Sequence, residues 1–209
     1  MHNRLIFLDI DGVLNTCQHG SFRCSLNGQE YHAFCPKTVA ALNRITDETG
    51  AKIVVSSTWR LKGLDVMRAI LGDQGVTGEV IGLTCRGDFV RATVFRNVWE
   101  GEWPDRTKDE EAITTYERPC ERGDEIAAWL AQFSYRPYPA PEGLRFLILD
   151  DDAHMAHLRP YLVRTRLSTG LTDEQADFAI RFFNAPPDER FWEAHYSNPS
   201  YFMQVETAE

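Results

Sequence analysis

The sequence predicts an α/β fold in which a Rossmann-like parallel sheet lies between two layers of helices. Short apolar runs alternate with segments of helical periodicity along much of the 209-residue chain. Two apolar runs, residues 4–10 and 144–149, end at aspartates, which is typical of buried parallel strands that lead into loops. The length fits a single domain, residues 1–209, because a chain of this size can bury most of the surface that it exposes when unfolded.

Two strands with a helix between them are predicted for the first part of the chain. Residues 4–10 predict a buried strand, whereas residues 17–34 lack a sustained period and predict a loop or a short hairpin. Pro36 suits the first turn of a helix, and Gly50 suits the left-handed position after the last turn. Residues 52–55 are short and β-branched, so they predict a second strand.

The middle of the chain predicts a helix, a third strand and an insertion. Residues 64–71 predict the helix and residues 79–83 the strand. The regular alternation then stops, so we expect a small cap-like insertion, residues 85–119, between the third strand and the helix near Gly123. Its arginines and aromatic rings suit the stacking of a base and the binding of phosphate, or else a small core of the insertion itself. These residues are Arg86, Arg91, Arg96, Phe89, Phe95, Trp99 and Trp103.

Regular patterns return in the last part of the chain. Residues 144–149 form another apolar run and predict a further buried strand. Thr172 and Gln175 have the spacing of a capping box and predict the start of a helix. The helix near Gly123 is predicted from an amphipathic pattern formed by Ile126, Trp129, Leu130 and Phe133. Strands that alternate with helices in this way predict parallel pairing.

Charge and cysteine content limit the classes of function. The net charge of −9 disfavours an extended nucleic-acid footprint, because such binding needs many lysines and arginines. No apolar run approaches the length of a membrane span, and aspartates interrupt the first run, which predicts no signal peptide. Five widely spaced cysteines suit reduced thiols and a cytoplasmic location. The alternative is a zinc site from Cys17, Cys24 and Cys35 with His19 or His32.

Polar residues follow three of the predicted core strands. They are Asp9 and Asp11 after the first strand, Ser56 and Ser57 after the second, and Asp150, Asp151 and Asp152 after the late strand. In open parallel sheets, ligands bind beyond the carboxyl ends of the strands, where such loops converge. Clustered carboxylates repel one another unless a cation lies between them. We therefore expect Mg²⁺, which takes few protein carboxylates and leaves positions for waters and a substrate phosphate.

The order of these residues resembles the haloacid dehalogenase (HAD) superfamily. The segments similar to its four motifs are LDIDGV at 8–13, VVS at 54–56, RG at 122–123 and LDD at 149–151. More narrowly, the chain resembles the HAD-type domain of multi-part ("Swiss army knife") RNA repair proteins over about residues 4–172. The segments that carry this narrower resemblance are VSSTWR at 55–60, RGDEI at 122–126 and ILDD at 148–151. The resemblance implies a HAD-like version of the predicted fold and an enzyme of phosphoryl transfer.

The resemblance also implies catalytic roles for individual residues. Asp9 would attack phosphorus and form an aspartyl-phosphate. Asp11 would protonate the leaving oxygen and later activate water. Ser56 would hydrogen-bond a phosphoryl oxygen. Arg122, at a position where the superfamily more often has lysine, would neutralise developing charge and orient Asp9.

Ligands of the metal and of the substrate are implied in the same way. The candidate metal ligands are Asp9, Asp11 through its carbonyl, Asp151 and Asp150. The candidate substrate-binding residues are Gly12, Ser57 and Arg60. Ser57 or Thr58 could also take the role of Ser56.

The predicted function is a magnesium-dependent phosphatase that acts on a phosphorylated small molecule or a nucleic-acid end. The alternative is a noncatalytic phosphate-binding or regulatory module of the same fold. Asp11 and Ser56 argue against that alternative, because a noncatalytic site has no chemical need for either. A receiver domain of a signalling relay also gathers aspartates around magnesium, but it carries its phosphoacceptor on a middle strand, whereas Asp9 follows the first strand here.

Overall fold

The computed structural model describes residues 4–17, 22–26, 28–100, 107–132, 144–185 and 203–207. These ranges contain ten strands, four α-helices and two 3-10 helices. The strands are β1 (Arg4–Leu8), β2 (Arg23–Leu26), β3 (Gln29–His32), β4 (Lys52–Val55), β5 (Val80–Leu83), β6 (Phe89–Glu100), β7 (Thr107–Pro119), β8 (Arg145–Asp150), β9 (Leu162–Arg164) and β10 (Met203–Thr207). The helices are α1 (Pro36–Thr49), α2 (Leu64–Asp73), α3 (Arg122–Gln132), α4 (Asp173–Asn184) and the 3-10 helices Thr58–Lys62 and Ala156–Tyr161.

A parallel sheet of five strands forms the centre of the molecule, in the order β5-β4-β1-β8-β9. The first strand lies in the middle and pairs in parallel with β4 on one side and β8 on the other. Leu8 is therefore level with Val55 and with Leu149. Because the three strands end at the same level, the residues that follow them meet at one edge of the sheet.

Two apolar cores lie on the two faces of this sheet. Successive side chains of β1 alternate between them, as strand geometry requires: Ile6 and Leu8 belong to one core, and Leu5 and Phe7 to the other. The first core also contains buried residues of α1, α2 and α4, and the second contains those of α3 and the second 3-10 helix. The arrangement confirms the predicted three-layer α/β fold.

The helix ends follow from local sequence signals. Pro36 is the first residue of α1, and Gly50 ends that helix in the left-handed conformation, with φ of 67°. Thr172 and Gln175 form the capping box that begins α4, through reciprocal side-chain to backbone hydrogen bonds. No helix in the described ranges is long and apolar enough to cross a membrane.

The segment predicted as an insertion contains a long antiparallel hairpin, β6 and β7, between β5 and α3. Strand β10 pairs with β6 to form a separate three-stranded sheet. At the base of the hairpin, Cys120 N donates to Asp88 O at 3.1 Å. Arg118 also forms two hydrogen bonds of 2.7 and 2.8 Å to the buried carboxylate of Asp124 in α3. These contacts attach the base of the hairpin to the start of α3.

One open alternative is decided, some elements go beyond the prediction, and some predicted residues lie outside the described part of the chain. The loop or hairpin predicted at residues 17–34 contains a hairpin of β2 and β3. Strand β9 and the pairing within the insertion were not predicted. Phe133, placed in the α3 pattern by the sequence, lies outside the described residues, as do the side chains of Arg91, Arg96, Phe95, Trp99 and Trp103. Arg86 and Phe89 are exposed.

Candidate active site

The candidate site lies where β1, β4 and β8 end. Asp9 N donates to Leu149 O at 2.9 Å, and Ser56 N donates to Leu8 O at 2.8 Å. These hydrogen bonds continue the parallel pairing one residue past β1 and β4. The loops that carry the predicted aspartates and serines therefore start from adjacent points.

Three carboxylates come together at this edge. One oxygen from each of Asp9, Asp150 and Asp151 lies within 4.8 Å of the other two. Asp150 is fully buried and Asp9 is only 7% exposed. Burial, followed by the charge of Asp9, raises the pKa of Asp150 to about 7. Burial also raises the pKa of Asp9 and of Asp151. When all three carboxylates are ionised, their negative charge is therefore not fully stabilised by the surrounding residues.

The donor set fits a divalent cation that prefers oxygen ligands. Asp150 Oδ1 accepts from Asp152 N at 2.9 Å, but Asp150 Oδ2 is buried and has no hydrogen-bond partner within the described residues. A buried carboxylate oxygen without a partner is costly. Mg²⁺ coordination would satisfy it, since this ion takes one or two carboxylates and keeps waters. Asp9, Asp150 and Asp151 are thus the residues that could hold the ion.

A cationic side chain faces the same cluster from α3. Arg122 is the first residue of that helix, and its Nη1 lies 3.9 Å from Asp9 Oδ1. The guanidinium opposes the rise in the pKa of Asp9 that burial causes. Arg122 Nη1 is itself buried without a hydrogen-bond partner in the described part of the chain. A donor that is aimed at the cluster and left unsatisfied suits an anionic ligand oxygen.

The position of Arg122 is fixed by a close contact beneath α3. A Cβ atom on Gly123 would lie 2.0 Å from the backbone oxygen of Met155, so only glycine fits there. The helix thereby begins directly against the loop that follows β8. Arg122 and the aspartates of β8 are held next to each other by backbone packing.

Arg60 and Glu125 form a buried ion pair beside Arg122. Arg60 Nη2 donates to Glu125 Oε1 at 2.7 Å, with side chains 8% and 7% exposed. Arg60 Nη1 also donates to Ser57 O at 2.8 Å. Burial lowers the pKa of Arg60 and raises that of Glu125, and the ion pair opposes both shifts. Arg60 was predicted to bind the substrate. In the structure its side chain joins the loop after β4 to α3.

The two serines after β4 have different surroundings. Ser56 is fully buried and accepts a hydrogen bond of 3.5 Å from Thr84 Oγ1. Ser57 accepts from Trp59 N at 3.4 Å, and its side chain is hydrogen-bonded to Asp9, which lowers the pKa of that carboxyl. Ser57 therefore contacts the predicted nucleophile directly.

Asp11 is not one of the three clustered carboxylates, although burial and, to a smaller extent, the charge of Asp11 raise the pKa of Asp9 and of Asp151. Its Oδ1 accepts from Asn15 Nδ2 at 2.6 Å, and its Oδ2 accepts from Trp59 Nε1 at 3.0 Å. Both oxygens thus have a neutral donor. These contacts fix the orientation of the carboxylate that was predicted as the general acid and base.

Gly12 has a steric role in the site. Its φ is 73°, and a Cβ atom on it would lie 2.4 Å from Asp151 Cγ. Its carbonyl accepts from Thr165 Oγ1 at 2.7 Å, and Thr165 N donates to Asp150 O at 2.9 Å. Glycine here lets the loop after β1 approach the aspartates after β8.

Comparison with known proteins identifies the family. Residues 5–176 match the family described as "HAD domain in Swiss Army Knife RNA repair proteins". The chain belongs to this family. The match covers more than half of the chain and includes every residue of the site described above. Comparisons with curated proteins and with solved structures found no match.

Four contacts of this HAD domain were not anticipated from its sequence. Asn15, Trp59, Glu125 and Thr165 each contact a predicted site residue. Trp59 and Glu125 lie inside the segments VSSTWR and RGDEI, which carry the resemblance to the family. Their position in these segments was the signal in the sequence that could have marked them as site residues. Their partners lie 48 and 65 residues away, so spacing along the sequence does not reveal the contacts.

The zinc alternative is not supported in this HAD domain. The group of metal-ligating side chains found among the described residues consists of Asp9, Asp150 and Asp151. All five cysteines are free. Cys17, Cys24, Cys35 and His32 form no such group there, and His19 lies outside the described residues.

Proposed function

We propose that this HAD domain is a magnesium-dependent phosphatase that hydrolyses phosphate monoesters. The observation that supports it most is a pair of unsatisfied buried atoms near Asp9. Among the described residues, neither Asp150 Oδ2 nor Arg122 Nη1 has a hydrogen-bond partner, although Arg122 Nη1 lies 3.9 Å from Asp9 Oδ1. A cation together with a phosphoryl group would satisfy both atoms at once.

The nucleophile of the proposed reaction is Asp9. Its carboxylate forms a bond to phosphorus while the ester P–O bond breaks and the electron pair leaves with the alkoxide oxygen. Arg122 and Ser57 both lower the pKa of Asp9 against the effect of burial, which favours the ionised form that attack requires. Arg122 would also stabilise negative charge on the phosphoryl oxygens in the transition state.

Asp11 would carry the protons of both displacement steps. In the first step it gives a proton to the leaving oxygen. In the second step it takes a proton from water, whose oxygen attacks phosphorus while the bond between phosphorus and Asp9 breaks. The products are an alcohol and inorganic phosphate, and both carboxylates return to their initial states.

Asp9, Asp150 and Asp151 would hold magnesium, which when bound would neutralise part of the negative charge of the phosphate. The carbonyl of Asp11 stays a proposed further ligand. Ser56 and Ser57 stay candidates for a hydrogen bond to a phosphoryl oxygen, and of these Ser57 contacts Asp9.

The proposed substrates are phosphorylated small molecules and phosphorylated nucleic-acid ends. The name of the family, which refers to RNA repair, favours the latter. A net charge of −9 is compatible with contacts to one end of a strand and not with an extended footprint. The free cysteines are the basis for proposing a cytoplasmic location. The role of residues 85–119 as a cap within one domain also stays a proposal.

Phosphate release should be measured with mononucleotides, oligonucleotides that carry 5′ or 3′ phosphates, and sugar phosphates, with magnesium and with EDTA. We expect turnover that requires magnesium and that falls by at least about 10³-fold in Asp9→Asn, because the nucleophile is lost. Asp152→Asn is the matched control. Its side chain is exposed and outside the cluster, so activity should stay within about twofold.

Two results would contradict the proposal. One is an inactive wild-type protein across the whole panel, and the other is full activity in Asp9→Asn. Isothermal titration with inorganic phosphate separates the alternatives. Binding of phosphate without turnover would support the noncatalytic module.

A further inference from the structure

A tryptophan outside the carboxylate cluster contacts the proposed acid and base. Trp59 Nε1 donates to Asp11 Oδ2 at 3.0 Å. The side chain of Trp59 is 9% exposed and belongs to the first apolar core. A buried indole N–H needs an acceptor, and here that acceptor is a site carboxylate.

The ring of Trp59 packs against two aromatic rings, those of Tyr31 in β3 and of Phe34 just after it. The ring centroid of Tyr31 lies 6.3 Å from that of Trp59, and the ring centroid of Phe34 lies 5.9 Å from it. Tyr31 in turn donates a hydrogen bond of 2.5 Å to Asp73 Oδ2 at the end of α2. The orientation of the indole is therefore set by two rings, of which one is anchored to a helix.

The second oxygen of Asp11 is fixed within its own loop. Asn15 Nδ2 donates to Asp11 Oδ1 at 2.6 Å, and Asn15 Oδ1 accepts from Gly12 N at 3.3 Å. Asn15 thus restrains one oxygen locally, whereas Trp59 restrains the other from 48 residues away. Trp59 is the contact that joins Asp11 to the loop after β4.

We propose that Trp59 is a positioning residue that holds the Asp11 carboxyl group in the orientation needed for proton transfer to the leaving group. The proposal rests on the proposed function, since it assumes that Asp11 is the general acid. It assigns to the rings of Tyr31 and Phe34 the role of fixing Trp59.

The proposal predicts a dependence on the leaving group. An alkoxide is a poor leaving group and needs a proton in the transition state, whereas 2,4-dinitrophenolate leaves without one. A misplaced acid therefore lowers kcat/KM, which reports the steps up to departure of the leaving group, far more for an alkyl phosphate than for 2,4-dinitrophenyl phosphate. A general loss of folded protein slows both reactions by the same factor.

The test compares kcat/KM for 2,4-dinitrophenyl phosphate with kcat/KM for the best alkyl phosphate of the panel, because the second step, in which Asp11 acts as the base for both substrates, does not enter kcat/KM. Trp59→Phe keeps an aromatic ring beside Tyr31 and Phe34 but removes the N–H donor. We expect kcat/KM to fall by about 10- to 100-fold for the alkyl phosphate and by less than about threefold for the dinitrophenyl ester.

Two further variants make the comparison independent of folding. Trp129→Phe makes the same change in the second core, where the ring packs on Phe7, and it should lower both rates equally. Replacement of Trp59 by 3-benzothienylalanine, in which sulfur takes the place of the N–H group, keeps the shape of the ring. It should reproduce the effect of Trp59→Phe.

Asp11→Asn separates failure of this proposal from failure of the proposed function. If Asp11→Asn slows the alkyl phosphate selectively but neither Trp59 variant does so, the role of Trp59 is wrong and Asp11 remains the acid. If Asp11→Asn lowers kcat/KM equally for both substrates, Asp11 is not the acid and the role of Trp59 is wrong, while the phosphatase activity of the wild type stands. If the wild-type protein releases no phosphate, the proposed function is wrong as well. Selective loss in all three variants supports the role of Trp59.

Discussion

Replacement of Asp150 by asparagine should make the metal-free protein more stable at neutral and alkaline pH. The folded protein keeps a proton on Asp150 up to a pKa of about 7, whereas the ordinary value is 3.8. Between these two values the folded state binds more protons than the unfolded state, so the free energy of unfolding falls as pH rises. Asparagine carries no charge at any pH in this range and removes the effect.

The size of the effect follows from the same pKa. Each pKa unit corresponds to about 1.4 kcal/mol, so the full effect is about 4 kcal/mol and the part between pH 5 and pH 8 is about 3 kcal/mol. Asp150 is fully buried, and solvent screening therefore does not reduce this value. After burial, the charge of Asp9 is the second cause of the raised pKa of Asp150, so its repulsion is already included in this value.

Urea unfolding at pH 5 and pH 8, in EDTA, measures this difference for the wild type and for Asp150→Asn. The stability gained by the variant should be larger at pH 8 than at pH 5 by about 3 kcal/mol. Burial lowers the pKa of His157 and adds a slope of opposite sign, but both proteins contain His157 and its contribution cancels. Magnesium should stabilise the wild type more than the variant, because the variant lacks one carboxylate ligand. An equal difference at the two pH values would refute the charge argument.

Two further predictions concern the packing that holds Arg122 and its neighbours. Gly123→Ala should lower the free energy of unfolding by at least about 2 kcal/mol, because its methyl group would overlap backbone. Gly72→Ala, in open space on α2, should be neutral or stabilising by up to about 1 kcal/mol, and equal losses in both would contradict the steric argument. Glu125→Gln should cost about 3–5 kcal/mol in urea unfolding, because Arg60 would keep a buried charge without its partner. The surface variant Glu79→Gln should cost less than about 1 kcal/mol, and a similar cost for both would show that the buried pair has no special weight.

Local patterns were sufficient to predict most of the central sheet and its helices. Residues 52–55 coincide with β4, and Gly50 and the capping box of α4 mark helix ends as expected. These features depend on residues that are close in sequence. Strand β9 has only three residues, which are too few to show a period. The pairing of β6 with β7 depends on residues across the hairpin, and their side chains showed no alternation that predicts strands.

The site was predictable where it depends on strand ends and unpredictable where it depends on side-chain direction. Asp9, Asp150 and Asp151 follow apolar runs that predict parallel strands, and the parallel pairing of these strands brings them together. From the sequence, both Asp150 and Asp151 are candidate ligands, with Asp151 preferred, and the structure places one oxygen of each in the cluster. The contacts of Trp59 with Asp11 need the orientation of a ring in the core, which no spacing rule gives.

The base of the β6–β7 hairpin has a consequence for how this domain can vary. Phe89 and Pro119 are paired, so the two ends of the insertion leave the scaffold about 5 Å apart. For the central sheet, the segment between these two residues is then equivalent to a tight turn, since closing a longer loop adds little entropic cost. A change in the length or sequence of this segment would leave β5, α3 and the carboxylates in register. The segment can therefore vary while the carboxylate cluster stays constant.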